Sequence, residues 1–340
     1  MTPFSVYVCQ STVEFFVFLM AFVDVYLCIA ISGSILGVVS NSVLLIAIFK
    51  ASRNKLQAYS FMFVFTASFD LAYSLIELCI QHIVTIVDGT LLIMPNGIER
   101  FVPELKYAVM AIHSFLMLHA VFILPCQYKF RYDILRNSHT TVRNLVFYVG
   151  LSSIVAGICA LNAMWGVYEQ QKRSSMVYVK ILEDAQVEGR DLYLYGGDMR
   201  DFSTQFFCYG SGMLSSNAAL GLCVYYAWKS FHLVQGQGKA IKQYTRSLQR
   251  DFTVGLIVQT ANSVVFAIAP LSLVVFSMIF KINFVNLPTM LPISFLPAIN
   301  AVLTLYVIKS YRLFVLAFFN RRFSMVVQFK GSLVPINSLS

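Results

Sequence analysis

Charge is scarce in this chain. Asp, Glu, Lys and Arg together make up 12% of its 340 residues, about half of the ~25% usual in a soluble domain. Hydrophobic residues make up 58%, and the mean hydropathy is +0.71. Water could not solvate a surface of this composition, which excludes a soluble enzyme and leaves a polytopic membrane protein. Other absences narrow the class. No Lys or Arg precedes Lys50, so the basic n-region of a cleavable signal peptide is missing. The seven cysteines never fall at C-x-x-C spacing, which argues against a zinc or iron–sulfur centre. No H-E-x-x-H occurs, and Gly210-Ser-Gly212 has no partner histidine at matching depth, so no enzyme is expected. Asn-x-Ser/Thr glycosylation acceptors are absent too. The net charge of +9 would suit nucleic acid, but membrane proteins gather Lys and Arg on their cytoplasmic side. Neither a nucleic-acid partner nor a cofactor is therefore expected.

What is present is a series of apolar runs long enough to cross a bilayer core of roughly 30 Å. They predict spans at about 25–49, 58–83, 107–127, 145–166, 203–228, 253–280 and 284–308. Residues 13–23 extend the first, with Asp24 at the seam, and residues 84–106 read as a turn carrying Gly89, Pro95, Asn96 and Gly97. Segment 167–202, with Gly196-Gly197-Asp198, is the one sizeable polar loop. No repeat or soluble domain interrupts the chain, so one domain is expected. Most of the 25 Lys and Arg fall in loops 50–57, 127–143 and 229–251 and in the tail 309–340. That bias puts these segments in the cytoplasm, hence an extracellular N-terminus and a cytoplasmic tail. Beyond the last span, LFVLAFFNRRF mixes apolar and basic residues in the way of an interfacial helix.

Ionisable and amide groups within spans are costly, and each carries a functional hypothesis. Asn41, Asp70 and Asn300 sit at compatible depths in spans one, two and seven, where they resemble the polar trio of rhodopsin-like receptors. In those receptors a sodium ion binds near the aspartate; an interhelical staple is the plainer reading. Glu77 lies two turns further out, as a ligand or ion contact or a group reaching the lumen. His113 precedes Arg131 by 18 residues, five turns at 3.6 residues per turn, so both share a helix face with Met117. Pro125 between them can bend that helix. His119 is turned away and reads as structural. Span six carries Gln259, Asn262 and Pro270, and a proline there permits a bend. The candidate ligand contacts are His113, Met117, Glu77 and Ser272.

The junction LHAVFILPCQYKFRYDILRN, residues 118–137, is where an apolar span meets charge. Its Phe130-Arg131-Tyr132 triplet resembles the one ending the third helix of G-protein-coupled receptors. Joined with Asn96-Gly97, Leu118-His119, Ile134-Leu135, Gln259 and the ending Pro292…Pro297…Asn300-Ala-Val-Leu-Thr-Leu-Tyr306…Tyr311-Arg312, it resembles the nematode serpentine chemoreceptors. These form the superfamily of classes delta, h and str, with class delta nearest, and the likeness covers nearly the whole chain. It implies an all-α membrane protein, a seven-transmembrane helix bundle of rhodopsin-like architecture. It also implies a chemosensory receptor in the plasma membrane of sensory cilia. A small odorant or soluble cue would bind between the outer halves of spans three, five, six and seven. A heterotrimeric G protein would dock at Arg131, Tyr132 and the 229–251 loop, where Lys239, Lys242, Arg246 and Arg250 face it. Two departures stand out. Asn300 is followed by Ala301 instead of proline, and no cysteine opens span three, which leaves Cys208 to pair with Cys9 or Cys79 or to stay reduced. An odorant-gated channel and a transporter are the alternatives, disfavoured by the charge bias and by the absence of paired halves. An opsin would need a lysine inside span seven, which Lys281 and Lys309 only bracket.

Overall fold

Helices dominate, because an apolar chain in lipid must satisfy every backbone N–H and C=O within itself. The computed structural model describes residues 3–51, 57–87, 90–136, 142–173, 195–198, 210–236, 243–280 and 287–318, with side chains of the first helix described from Val25 onward. The starts of the expected fifth and seventh spans, most of the 167–202 loop and the tail beyond 318 lie outside them.

Helix α1 runs unbroken over Pro3–Ala51, so Asp24 is no seam. An aspartate costs a helix interior only about 0.7 kcal/mol relative to alanine, too little to stop one this long. Among its described side chains, Val25–Lys50 is long and apolar enough to cross a membrane. Helix α2 spans Gln57–Ile80 and α3 spans Lys106–Arg136. The apolar run of α3 ends near Gln127, yet the helix continues for two more turns. Lys129 and Asp133 pair four residues apart there, an arrangement that supports helix. Helix α4 is Val142–Arg173 and α5 is Ser211–Gly236. Helix α6, Gln243–Ser263, passes through a π-helical stretch, Val264–Ile268, into α7, Ala269–Phe280. Pro270 is the reason. Having no N–H, it leaves the Phe266 carbonyl without its usual partner, and the wider turn before it absorbs the mismatch. Helix α8, Leu287–Val307, contains Pro292 and Pro297. Helix α9, Lys309–Phe318, leaves α8 at 95°.

Among the described residues, five helices are long and apolar enough to cross a membrane, and the bent α8–α9 pair gives a sixth. Helix α5 has 26 residues, ample for the bilayer core at 1.5 Å per residue, though Ser215, Ser216 and Asn217 make it more polar. Helix α3 packs against α4 and α5, α1 against α2 and α8, and α6 against α8. One half of the bundle is sealed by aromatic side chains, with Tyr59 stacked on Phe252 at 4.2 Å and Phe63 beside both Phe252 and Tyr311. Phe147, Ile154 and Val224 are more than 60% exposed, as side chains facing lipid should be.

The segment after α2 is not the simple turn that its Gly, Pro and Asn suggested. Gln81 adopts φ 47°, which ends the helix at Ile80, three residues before the expected end. Strand β1, His82–Val87, then pairs antiparallel with β2, Thr90–Pro95, and β3, Tyr195–Asp198, adds to the far edge of β2. HIVTIV and TLLIMP are rich in β-branched residues, which favour a pleated strand. The sheet lies against α4, α7 and α8.

Candidate ligand cavity and inner-face contacts

Four residues at the hairpin end of the bundle form one file of close polar contacts. On α2, Glu77 points across to α3, where its carboxylate lies 2.7 Å from His113 Nε2. His113 Nδ1 is 3.3 Å from His82 Nδ1, on the first residue of β1. His82 Nε2 in turn lies 2.8 Å from Glu99 Oε2, in the short helical turn after β2. Ser294 of α8 donates to Glu77 Oε1 at 3.1 Å, and Tyr73 stacks on His113 with ring centroids 5.7 Å apart. Glu77, His82 and Glu99 are all buried. The file thus ties α2, α3 and the strand segment together, while no disulfide joins the described cysteines; Cys79 is free. Cys9 and Cys208 lie outside the described side chains.

Beneath the hairpin the file borders a cavity of about 110 Å³, walled mainly by apolar side chains including Met117 and Ile293, with Tyr26 and Tyr73 at its edge. Glu77, His113 and Met117, three of the four expected ligand contacts, meet there. Ser272 does not line it; its neighbour Leu271 does, because the wide turn ahead of Pro270 resets which face of α7 looks inward. Sequence reasoning missed His82, Glu99, Tyr26 and Tyr73. His82 looked like the tail of a span and Glu99 like part of a turn, and nothing in their spacing says that a hairpin folds one onto the other.

His82 follows the end of α2 as the first residue of β1. Burial lowers the affinity of its imidazole for a proton, and neighbouring His113 adds to this, while Glu99 and Glu77 oppose it. A histidine whose folded pKa is depressed contributes stability fully above its unfolded value, about 6.5, and loses it as the pH falls below that, because the unfolded segment takes up the proton more readily. Amide exchange in β1 and β2, corrected for intrinsic rates, is therefore expected to quicken between pH 7.5 and 5.5. Equal corrected rates would show that His82 does not help hold the hairpin.

Deeper in the bundle the expected trio is not one network. Asn300 Nδ2 donates to Asp70 at 3.3 Å, and Asn262 Nδ2 of α6 donates to Asn300 Oδ1 at 2.6 Å. Asn41 instead donates to the Gly37 and Pro297 carbonyls. Asn262 takes its place, and Gln259 adds a second α6–α8 link by donating to Thr304 at 2.8 Å. His119 is buried between Phe69, 3.9 Å away in a stack, and Ser152, where it joins α2, α3 and α4.

At the opposite end of α3 from His113, Arg131 is 4% exposed and donates to the Thr253 hydroxyl of α6. Tyr132, one residue on, faces Tyr226 of α5 at 6.0 Å. Arg250 is exposed near the start of α6. The side chain of Arg246 lies outside the described residues, as do Lys239 and Lys242.

Compared with known families, residues 27–316 match the model described as "Serpentine type 7TM GPCR chemoreceptor Str". No curated protein matches the chain.

Proposed function

The chain belongs to the Str family of serpentine seven-transmembrane chemoreceptors of the G-protein-coupled type, and on that premise we propose that it turns occupancy of the outer cavity into release of Arg131 at the inner face. A family of receptors, not of enzymes, supports a small-molecule ligand and a multi-pass membrane protein. The further steps are our reading. An odorant-sized molecule enters beneath the hairpin, and a heterotrimeric G protein docks around Arg131, Tyr132, Arg246 and Arg250 on the cytoplasmic side of a plasma membrane, that of a sensory cilium. The excess of Lys and Arg in the 50–57, 127–143 and 229–251 segments supports that orientation.

One observation carries the proposal. The cavity and the Arg131–Thr253 contact lie at opposite ends of the same helices, α3 and α6–α7, and the π-helical stretch lies between them. A ligand that binds one arrangement of α6–α7 more tightly than the other shifts the population by that difference in affinity. Asp70, Asn300, Asn262, Gln259 and Thr304 form the polar layer across which α2, α6 and α8 would slide.

The test is a cell line expressing the receptor with a reporter G protein, screened against a library of volatile and soluble small molecules. For any hit, Arg131→Ala is expected to abolish the reporter signal while leaving ligand binding within about threefold, since the cavity is distant. A response that persists as a current without any G protein would replace the proposal with a ligand-gated channel.

A further inference from the structure

Helices α4 and α5 both pack on α3 but meet each other little, and the seam between them is open. Small side chains leave it so, with Ser215, Ala218 and Ala219 of α5 and Ser152 of α4 along its wall. The result is a groove of about 400 Å³, lined otherwise by apolar groups such as Phe122, Leu151 and Leu222. Leu151 is 52% exposed and Leu222 48%, so the groove opens sideways, where a membrane-crossing chain meets lipid.

One end of this groove is charged. Lys129 lines it, two residues beyond Gln127, where the apolar run of α3 stops. Its ammonium group lies 5.3 Å from the centre of the Tyr148 ring, 5.7 Å from Tyr226 and 5.8 Å from Tyr132. A second ammonium, that of Lys229, lies 4.6 Å from Tyr225 and 5.7 Å from the same Tyr132 ring. Lys229 follows the groove residue Tyr226 by three positions on α5, about one helical turn. Tyrosines collect at the headgroup level of a bilayer, and lysine stems run along apolar surface to hold their ammonium groups there. The ring cluster therefore sets the depth: the apolar wall meets acyl chains, and the lysine end meets headgroups.

The charges at that end do not cancel. Asp133 pairs with Lys129 and accepts from the Tyr148 hydroxyl at 2.7 Å, whereas among the described residues no carboxylate pairs with Lys229. Two ammonium groups against one carboxylate leave a positive charge at the mouth of the groove. A sterol or a zwitterionic lipid would fill the space and leave that charge unanswered. A second copy of this chain, docked about an axis along the membrane normal, would bring its own lysines to the same level.

We propose that the groove binds one anionic phospholipid, with an acyl chain along Phe122, Leu151 and Leu222 and the phosphate at Lys129 and Lys229. Bound there, the lipid joins α3, α4 and α5 at the level of Tyr132. Its lining residues are not those of the cavity beneath the hairpin, so the site stands whether or not that cavity takes a small molecule.

The experiment is a lipid titration of the purified full-length protein in detergent, read by native mass spectrometry. Its two probes have identical chains: dioleoyl phosphatidylglycerol, which is anionic, and dioleoyl phosphatidylcholine, which is zwitterionic. Given what one lysine contributes near an anionic lipid surface, the first phosphatidylglycerol is expected to bind at least about fivefold more tightly than phosphatidylcholine. Lys229→Gln is expected to bring the two lipids to near-equal affinity, and Lys229→Arg to keep the preference. Ala218→Trp, at an exposed position in the groove wall, is expected to weaken both lipids by filling the space. Equal affinities in the wild type overturn the proposal, as does an unchanged preference in Lys229→Gln or unchanged binding in Ala218→Trp. Should Lys229→Gln fail to fold, the wild-type ranking and Ala218→Trp decide. A dimer that retains no phospholipid and that Ala218→Trp splits into monomers would also overturn it, and would make the groove an interface between copies.

Discussion

Gly97→Ala is expected to undock the hairpin and remove most of the receptor's outer structure. A Cβ on Gly97 would collide with the backbone carbonyls of Cys79 and Ile80, at the end of α2. Neither can move cheaply. Both are main-chain atoms of the last turn of α2, and the next residue, Gln81, is left-handed and donates its N–H to the Glu77 carbonyl. Overpacking against flexible side chains costs about 1–3 kcal/mol; against fixed backbone the effect should reach the top of that range or exceed it. Gly97 also precedes Glu99 by two residues, so a shift there pulls Glu99 from His82 and opens the file that reaches Glu77. Thermal unfolding and exchange of the β1 and β2 amides would both register the loss, together with weaker binding of any cavity ligand. Wild-type exchange in the hairpin of Gly97→Ala would mean that α2 and the loop relax around the methyl group.

Asn300→Val should be almost as damaging, by a different route. Asn300 is the only described hydrogen-bond donor to the Asp70 side chain and also accepts from Asn262, so it joins α2, α8 and α6 at one point. Valine keeps most of the volume and makes neither bond. It leaves a buried carboxyl and a buried amide without these partners, and losing a hydrogen bond to a charged group costs about 1.5–3 kcal/mol. Asp70→Asn is the control. It keeps a polar partner for Asn300 and takes away the charge, so it should retain nearly all of the stability. Unfolding temperatures should therefore fall in the order wild type, Asp70→Asn, Asn300→Val, with the wide gap before the last. Equal losses for the two variants would show that the Asp70 charge, and not the loss of its partner, governs this layer.

Much of this molecule could be read along the chain. The scarcity of charge and the length of the apolar runs fix a helical membrane bundle, because lipid offers the backbone no other hydrogen-bonding partner. Pro270 marked where the sixth helix would deform, and the five-turn spacing of His113 and Arg131 set both on the inward face of α3. Asn96-Gly97 stood out as a motif, although its reason, the approach of Gly97 to the end of α2, is a contact between segments. Helix ends were less legible. The apolar run of α3 stops near Gln127 while the helix continues to Arg136, because hydropathy reports the edge of the membrane and hydrogen bonding the edge of the helix.

The partners of the polar groups belong to tertiary structure. Sequence placed Asn41, Asp70 and Asn300 at similar depths, but depth leaves rotation about each helix axis open. A rotation sent Asn41 to a backbone carbonyl and brought Asn262 to Asn300. His82 and Glu99 are 17 residues apart and meet only because a hairpin closes between them, and Glu77 reaches His113 only because α2 packs on α3. Hydropathy sums over neighbours in the chain, so it sees the solvent that each segment will meet. A hydrogen bond depends on two groups coming within about 3 Å, and the packing of separate helices is what brings them there.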